Sequence, residues 1–159
     1  MADLDPAIKA LAEQIERGED VAGAPGEFQA LQLAGAAAYR SNKFAAAAVY
    51  FRRAAGISPV DAGTRNNLGQ ALRAEGEIAV ARAQFWRALE IDTVFAEPFL
   101  NLGLLAAADE EWKNAIGFYA QALVRRSNYA EAHFNWAIAL ERLGKKDGAV
   151  GHYRSALQL

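Results

Sequence analysis

A period of thirty-four residues runs through most of this 159-residue sequence and constrains its fold more than any other feature. Four sets of small or aromatic residues recur at this interval without an insertion or a deletion. The sets are Gly35, Gly69, Gly103 and Ala137; Ala47, Ala81, Ala115 and Ala149; Phe51, Phe85, Tyr119 and Tyr153; and Ala54, Ala88, Ala122 and Ala156. Repetition at a fixed interval of about twenty to fifty residues is typical of repeat architectures.

Each period contains the pattern of two helices. In residues 62–95, apolar residues first recur at helical spacing, the pattern breaks at Gly76, and a second helical pattern follows. Abundant alanine and only 4 prolines also favour helix. The sequence predicts first helices over 28–41, 62–75, 96–109 and 130–143, and second helices over 44–57, 78–91, 112–125 and 146–158. It also predicts that Asp92-Thr93 caps the helix that follows it, and that Ser127 or Asn128 caps the first helix of the last repeat.

Glycines inside two of the predicted helices indicate close packing. Gly69 and Gly103 lie within helical patterns, where glycine costs about 1 kcal/mol relative to alanine. Helices in a hairpin approach most closely where the side chains are shortest. We therefore expect these glycines, together with Ala81 and Ala115 on the second helices, to be points of contact within each hairpin.

The residues at the repeating positions resemble tetratricopeptide repeats. The family pattern places a large residue before Leu-Gly, then alanine followed by an aromatic residue, and finally proline. Residues 96–129 supply Phe99, Leu102-Gly103, Ala115 and Tyr119. The resemblance covers residues 28–159 and implies an all-α, right-handed α-solenoid of helix-turn-helix repeats. Two departures are that the closing proline survives only as Pro59, and that Arg125 replaces the apolar residue present as Ile57, Ile91 and Leu159.

The predicted organisation is an N-terminal helix and linker followed by four repeats. The repeats occupy 28–61, 62–95, 96–129 and 130–159, and the helix and linker occupy 1–27. Asp5 is a suitable N-cap, Pro6 suits a first helical turn and Gly18 suits a helix end. This helix lies outside the repeat register, and it is interpreted either as a cap for the array or as a helix that binds a partner.

Composition and motifs exclude several classes of function. The net charge of -2 gives no footprint for nucleic acid, and the absence of cysteine excludes disulfides and thiolate metal sites. Neither His133 nor His152 has metal-ligand spacing around it, and no nucleotide-binding or hydrolase motif occurs. We therefore predict no catalytic residue, no metal site and no cofactor. Without a signal peptide or an apolar run of membrane-spanning length, we expect no membrane association and a cytoplasmic location.

One polar position recurs beside the glycine of the first helices. It is Leu33, Asn67, Asn101 and Asn135 in successive repeats. Asparagine is a poor helix former, and its amide can hydrogen-bond the backbone of an extended peptide. The family resemblance implies such a role, because tetratricopeptide proteins that bind extended peptides carry asparagine ladders. The alternative is that the asparagines derive from a repeat consensus and bind nothing.

Neighbouring residues complete the predicted peptide-binding groove. The set of expected contacts is Asn67, Asn101, Asn135, Gln70, Leu100, Leu104, Phe134 and Ile138. The groove residues of the first two repeats, which also include Gln29, Gln32, Tyr39 and Arg40, are mainly polar. Those of the last two repeats are mainly apolar. The family's carboxylate-clamp type needs lysine and arginine at groove positions that hold Gln32, Glu97 and Asn101 here, which argues against that class of partner.

The sequence thus predicts a non-enzymatic scaffold that binds a protein or peptide in a concave groove. The alternative is an N-terminal repeat domain of a larger enzyme, a transferase or an oxygenase, whose catalytic domain is absent from this chain. The last predicted helix carries apolar residues with no following helix to cover them, among them Val150, Tyr153, Ala156 and Leu157. We therefore also expect a homo-oligomer to form through this C-terminal edge.

Overall fold

The computed structural model describes residues 5–159, which form α-helices joined by short turns, with no strand in this range. The helices are α1 (Pro6–Glu16), α2 (Glu27–Arg40), α3 (Phe44–Ile57), α4 (Ala62–Ala74), α5 (Ile78–Ile91), α6 (Ala96–Ala108), α7 (Trp112–Arg125), α8 (Ala130–Arg142) and α9 (Lys146–Gln158). The bounds predicted for α2 to α9 agree with these to within one residue. The predicted all-α class is confirmed.

Contacts divide the chain into two units, Met1–Gln84 and Phe85–Leu159, and the boundary lies inside α5. The units are described separately. The division into a 27-residue N-terminal segment and four repeats stays a prediction. The N-terminal helix is nevertheless part of the first unit, because α1 packs directly against α2.

The first unit is built by successive packing of α1 on α2, α2 on α3 and α3 on α4. Its core contains Ile15 of α1, Leu31 and Ala34 of α2, and Ala54 of α3. The predicted cap of α1 is confirmed, because the Asp5 carboxylate accepts a hydrogen bond from the Ala7 amide at 2.9 Å. The α1 helix therefore covers apolar surface that α2 and α3 would otherwise expose to water.

The second unit pairs α6 with α7 and α8 with α9, and α7 packs against α8. Its core contains Leu100 and Ala106 of α6, Tyr119 and Ala122 of α7, and Ala132 of α8. Most of these are small residues, so the helix backbones approach closely and the tyrosine ring fills the remaining space.

Two predicted helix caps are wrong. The Asp92 carboxylate accepts from the Val94 amide at 2.9 Å and forms a turn before α6, whose N-cap residue is Phe95. The N-cap of α8 is Tyr129, and no side chain there caps the helix. Both mistakes have one cause: short-range hydrogen bonds of Asp and Asn favour turns as well as caps, and the sequence does not decide between them.

Arg125 occupies a repeat position that is apolar elsewhere, and its contacts explain the substitution. The guanidinium lies over the Phe99 ring, 4.1 Å from the centroid, and its Nε donates to the Thr93 carbonyl oxygen at 2.7 Å. The equivalent isoleucines, Ile57 and Ile91, are themselves partly exposed. At this partly exposed position the arginine therefore replaces apolar packing with a cation–π contact and a hydrogen bond to the backbone.

Gly103 is the point of closest approach between α6 and α7. A Cβ atom built on it would contact Tyr119 Cε1 and lie 2.7 Å from Tyr119 Cδ1, and the tyrosine ring is buried. We expect Gly103→Ala to lower the free energy of unfolding by about 1–3 kcal/mol, because the overlap outweighs the better helix propensity of alanine.

A matched control is Gly117→Ala on α7, where a Cβ would meet no atom within 4 Å. It should instead stabilise the chain by about 0.4–1 kcal/mol. Urea denaturation of both variants checks the pair, and equal stabilisation by both would show that α6 and α7 do not approach at Gly103.

Candidate functional site

In each unit, a cavity is lined by residues predicted to bind a peptide or to form the C-terminal edge. In the first unit, a cavity of about 150 Å³ is lined by Ala36, Tyr39, Arg40, Phe51, Asn67 and Gln70. We call it the α2–α4 cavity, because all of these residues except Phe51 lie on those two helices. It brings together two of the eight predicted contacts, Asn67 and Gln70.

Helical spacing explains why these residues share one surface. Asn67 and Gln70 are three residues apart on α4, so their side chains lie on the same face. The floor is Phe51 of α3, which is almost fully buried. Its ring reaches this position because Gly35 has no side chain: a Cβ there would lie 2.8 Å from Phe51 Cε1.

The polar groups of the α2–α4 cavity are suited to binding a peptide backbone. Asn67 and Gln70 are half-buried amides, each with donors and an acceptor, and Arg40 is exposed at the C-terminal end of α2. The Tyr39 ring is held edge-on by Phe44, with 5.3 Å between the centroids. The cavity therefore combines hydrogen-bonding groups with an aromatic floor and an aromatic side.

Gln32 contacts its own chain rather than an open surface. Its Nε2 donates to the Thr64 hydroxyl at 2.7 Å, and Thr64 is completely buried. This bond joins α2 to α4 beside the cavity. Gln32 therefore links α2 to the helix that carries Asn67 and Gln70.

The asparagines of the second unit differ from Asn67. Asn101 is only 5% exposed. Asn135 is half-buried, and its Nδ2 donates to the carbonyl oxygen of Glu131, four residues earlier on the same helix, at 2.8 Å. Both amides are thus less accessible to a ligand than a groove-facing ladder requires.

The four apolar residues predicted to contact the peptide in the second unit differ in how far they are exposed. Leu100 is 3% exposed and belongs to the core, and Leu104 packs against that core. Ile138 is half-buried, whereas Phe134 is 50% exposed. The structure therefore does not gather these four residues into one open apolar floor.

Phe134 lies instead on a second surface, which we call the C-terminal cavity. It has a volume of about 470 Å³ and is lined by Ala130, Glu131, Phe134, Tyr153, Ala156 and Leu157. The Phe134 and Tyr153 rings meet edge to face, 5.7 Å between centroids. The Tyr153 hydroxyl donates to Glu141 Oε2 at 2.7 Å, and this bond raises the pKa of Tyr153 above its ordinary value.

A histidine pair between α8 and α9 was missed as a feature of the sequence. The Nδ1 atoms of His133 and His152 are 2.9 Å apart, and the Trp136 ring stacks on His152 at 4.2 Å between centroids. The available signal was the repeat register, in which these histidines replace Phe99 and Phe118. Partial burial, and secondarily the nearby His133, lower the pKa of His152.

Residues 5–159, the range that the structure describes, contain neither a cluster of metal-binding side chains nor a helix suited to crossing a membrane. This range contains no group of three or more His, Cys, Asp or Glu side chains arranged to hold a metal ion. None of the helices described there has both the length and the apolar character that crossing a membrane requires.

Comparison with known proteins identifies the fold but no family. No family model matches the sequence, and no curated protein matches it. Solved structures of MamA are similar to this chain. One MamA crystal structure has 22% sequence identity and a TM-score of 0.75, over 96% of this chain and 85% of that chain. Another, MamA AMB-1, has 16% identity and a TM-score of 0.72, over 96% of this chain and 89% of that chain.

Similarity at these identities establishes the fold alone. The chain is an all-α helical repeat array of the solenoid class, in agreement with the class that the periodicity predicts. Helical repeat arrays generally present extended surfaces for binding. The binding surface of this chain has to be inferred from its own residues.

We expect His152 to make stability depend on pH. Because the pKa of His152 is lowered in the folded state, the unfolded chain takes up the proton first as pH falls. Stability should therefore decrease between about pH 7 and pH 5. In the double variant His133→Phe with His152→Phe, this part of the pH dependence should disappear, because no imidazole group remains to titrate. The variant should fold, because phenylalanine occupies both positions in the preceding hairpin.

Thermal midpoints of both proteins across that range provide the measurement. The sequence has only these 2 histidines, so the double variant removes every imidazole group from the chain. An unchanged slope in the double variant would show that carboxylates, and not the pair, cause the loss at low pH.

Proposed function

We propose that this chain is a non-enzymatic scaffold of four tetratricopeptide repeats that binds an extended segment of a partner protein. The helical repeat fold supports the proposal, as do helix bounds that follow the predicted repeats 28–61, 62–95, 96–129 and 130–159. The α2–α4 cavity is the single observation that favours a peptide. It offers two half-buried amides on α4 and the Tyr39 ring of α2, above a floor formed by Phe51 of α3.

Asn67 and Gln70 carry the main contacts in this proposal. Their amides can each hydrogen-bond a peptide carbonyl or N–H group, whichever side chains the peptide has. Tyr39 and Phe51 supply the apolar contact, and Arg40 would favour an acidic side chain in the peptide. With a volume of about 150 Å³, the cavity would hold about one side chain of the bound segment.

Asn101 and Asn135 have a secondary place in the proposal. Asn135 must give up its bond to the Glu131 carbonyl before its Nδ2 can reach a ligand. That exchange reduces the net gain, because one hydrogen bond replaces another. Leu104 and Ile138 are half-buried and can add apolar contact in the second unit.

Location and self-association are also proposals. The proposed location is the cytoplasm, and a chain without cysteine is compatible with that reducing compartment. A homo-oligomer is the alternative to another partner at the C-terminal edge, where Val150 and Leu157 are exposed. Exposed apolar patches of this kind mark interaction surfaces.

The double variant Asn67→Ala with Gln70→Ala tests the main proposal. Peptides selected from a random display library on the unmodified chain are the probe. We expect their affinity for the double variant to fall by at least about tenfold, since two lost hydrogen bonds cost about 1–3 kcal/mol. The fold should remain intact, because alanine is the better helix former at both positions.

Two controls accompany this experiment. The thermal midpoint of the variant separates lost binding from lost folding. Arg52→Ala, exposed on α3 and outside the α2–α4 cavity, should leave peptide affinity unchanged. Selected peptides that bind the double variant as tightly as the original chain would show that the asparagine position has no ligand role.

A further inference from the structure

The C-terminal cavity is the uncovered counterpart of an interface already present in the second unit. A shift of thirty-four residues along the sequence relates its lining residues to those under α8. The counterparts of Ala130, Phe134, Tyr153 and Ala156 are Ala96, Leu100, Tyr119 and Ala122. All four counterparts are buried.

Helix α8 is what covers these counterparts. It packs against α7, and its Ala132 and Ala139 belong to the same core cluster as Tyr119 and Ala122. One repeat later, Phe134 is half exposed and Leu157 is 88% exposed. The surface on α8 and α9 therefore has the composition of a helix-binding interface, but it lies open to solvent.

We propose that the C-terminal cavity binds an amphipathic helix of a partner protein, in the position that α8 takes on α6 and α7. This goes beyond the proposed peptide groove, because it uses another surface and a helical ligand. The partner helix would contact α9 as α8 contacts α7, so the α7–α8 interface indicates which residues the partner helix needs. The first requirement is small residues seven positions apart, as at Ala132 and Ala139, which let two helix backbones approach.

Charges near the N-terminus of α8 indicate a second feature of the partner helix. Arg126, which precedes α8, pairs with the Glu97 carboxylate, and its guanidinium lies 4.6 Å from the centroid of the Tyr129 ring. The counterpart of Glu97 is Glu131, which is exposed and lines the C-terminal cavity. The partner should therefore carry arginine or lysine about four residues before its helix, where Arg126 stands before α8.

Charges near the C-terminus of α8 indicate a third feature of the partner helix. The Arg142 guanidinium of α8 lies 5.6 Å from the ring centroid of Trp112, the first residue of α7. The counterpart of Trp112 is Lys146, and Lys145 precedes it. The docked helix should therefore end in an acidic residue, because lysines attract both its carboxylate and the partial negative charge of a helix C-terminus.

The probe that tests this is a blocked synthetic peptide of residues 126–143 carrying Arg142→Glu, which has all three features. Titration calorimetry with the full chain measures its affinity, and amide hydrogen exchange locates the site. We expect binding that protects amides of α9. Ala156→Arg should weaken binding by at least about tenfold, because its counterpart Ala122 is completely buried and leaves no room for a long side chain.

Gly151→Arg is the matched control for charge and size. Gly151 is exposed on α9 outside the C-terminal cavity, and a Cβ there meets no atom within 4 Å. This variant should bind the peptide as the unmodified chain does. Thermal midpoints of both arginine variants verify that each remains folded, which is expected because Ala156 is only half-buried in the unliganded chain.

A charge reversal tests the orientation of the docked helix. Lys146→Glu in the full chain should weaken binding of the peptide that carries Arg142→Glu. The same change should strengthen binding of the peptide that keeps Arg142, and each effect should be about two- to fivefold. Non-specific apolar attachment would not produce this reversal. The Asn67→Ala, Gln70→Ala variant should bind both peptides normally, so the outcome is independent of the groove proposal.

Several results would overturn the proposal. Absence of binding at millimolar peptide is one, and binding that Ala156→Arg leaves unchanged is another. Equal affinity of both peptides for Lys146→Glu would contradict the orientation. If sedimentation shows a dimer of the chain that Ala156→Arg dissociates and the peptide does not, then a second copy, and not a partner helix, occupies this surface.

Discussion

The close approach of an aromatic ring to a glycine backbone is the contact on which the α2–α3 and α6–α7 hairpins depend. Tyr119 lies against Gly103 in the second unit, and Phe51 lies against Gly35 in the first. A methyl group at either glycine would occupy space that the ring already fills. Because the ring comes from the second helix and the glycine from the first, this one contact fixes the distance between the two helices and their relative register.

The same packing determines which surfaces remain available for binding. In the first unit, the Phe51 ring that fits against Gly35 also forms the floor of the α2–α4 cavity. In the second unit, Tyr153 and Phe134 meet at the C-terminal cavity, where the counterparts Tyr119 and Leu100 are buried. A residue type that fills the core within the array therefore becomes a ligand-facing group where no helix covers it.

Residues that depart from the repeat pattern lie on the expected helices but make polar contacts where the other repeats have apolar side chains. The histidine pair stands where Phe99 and Phe118 stand one repeat earlier, and it brings two ring nitrogens to 2.9 Å. Arg125 replaces isoleucine by packing over Phe99. Such substitutions are tolerated because these positions are only partly buried, so a polar group can reach water or a neighbouring polar atom.

The sequence by itself determined the helices and their pairing, because helical periodicity and thirty-four-residue spacing are local, additive signals. It also marked Asn67 and Gln70, which the structure brings to one cavity. Tertiary structure alone decided that Asn101 is buried and that Phe134 lies at the C-terminal cavity. The physical reason is that exposure depends on whether another helix covers a position, and equivalent repeat positions differ in this neighbour while their own sequences remain similar.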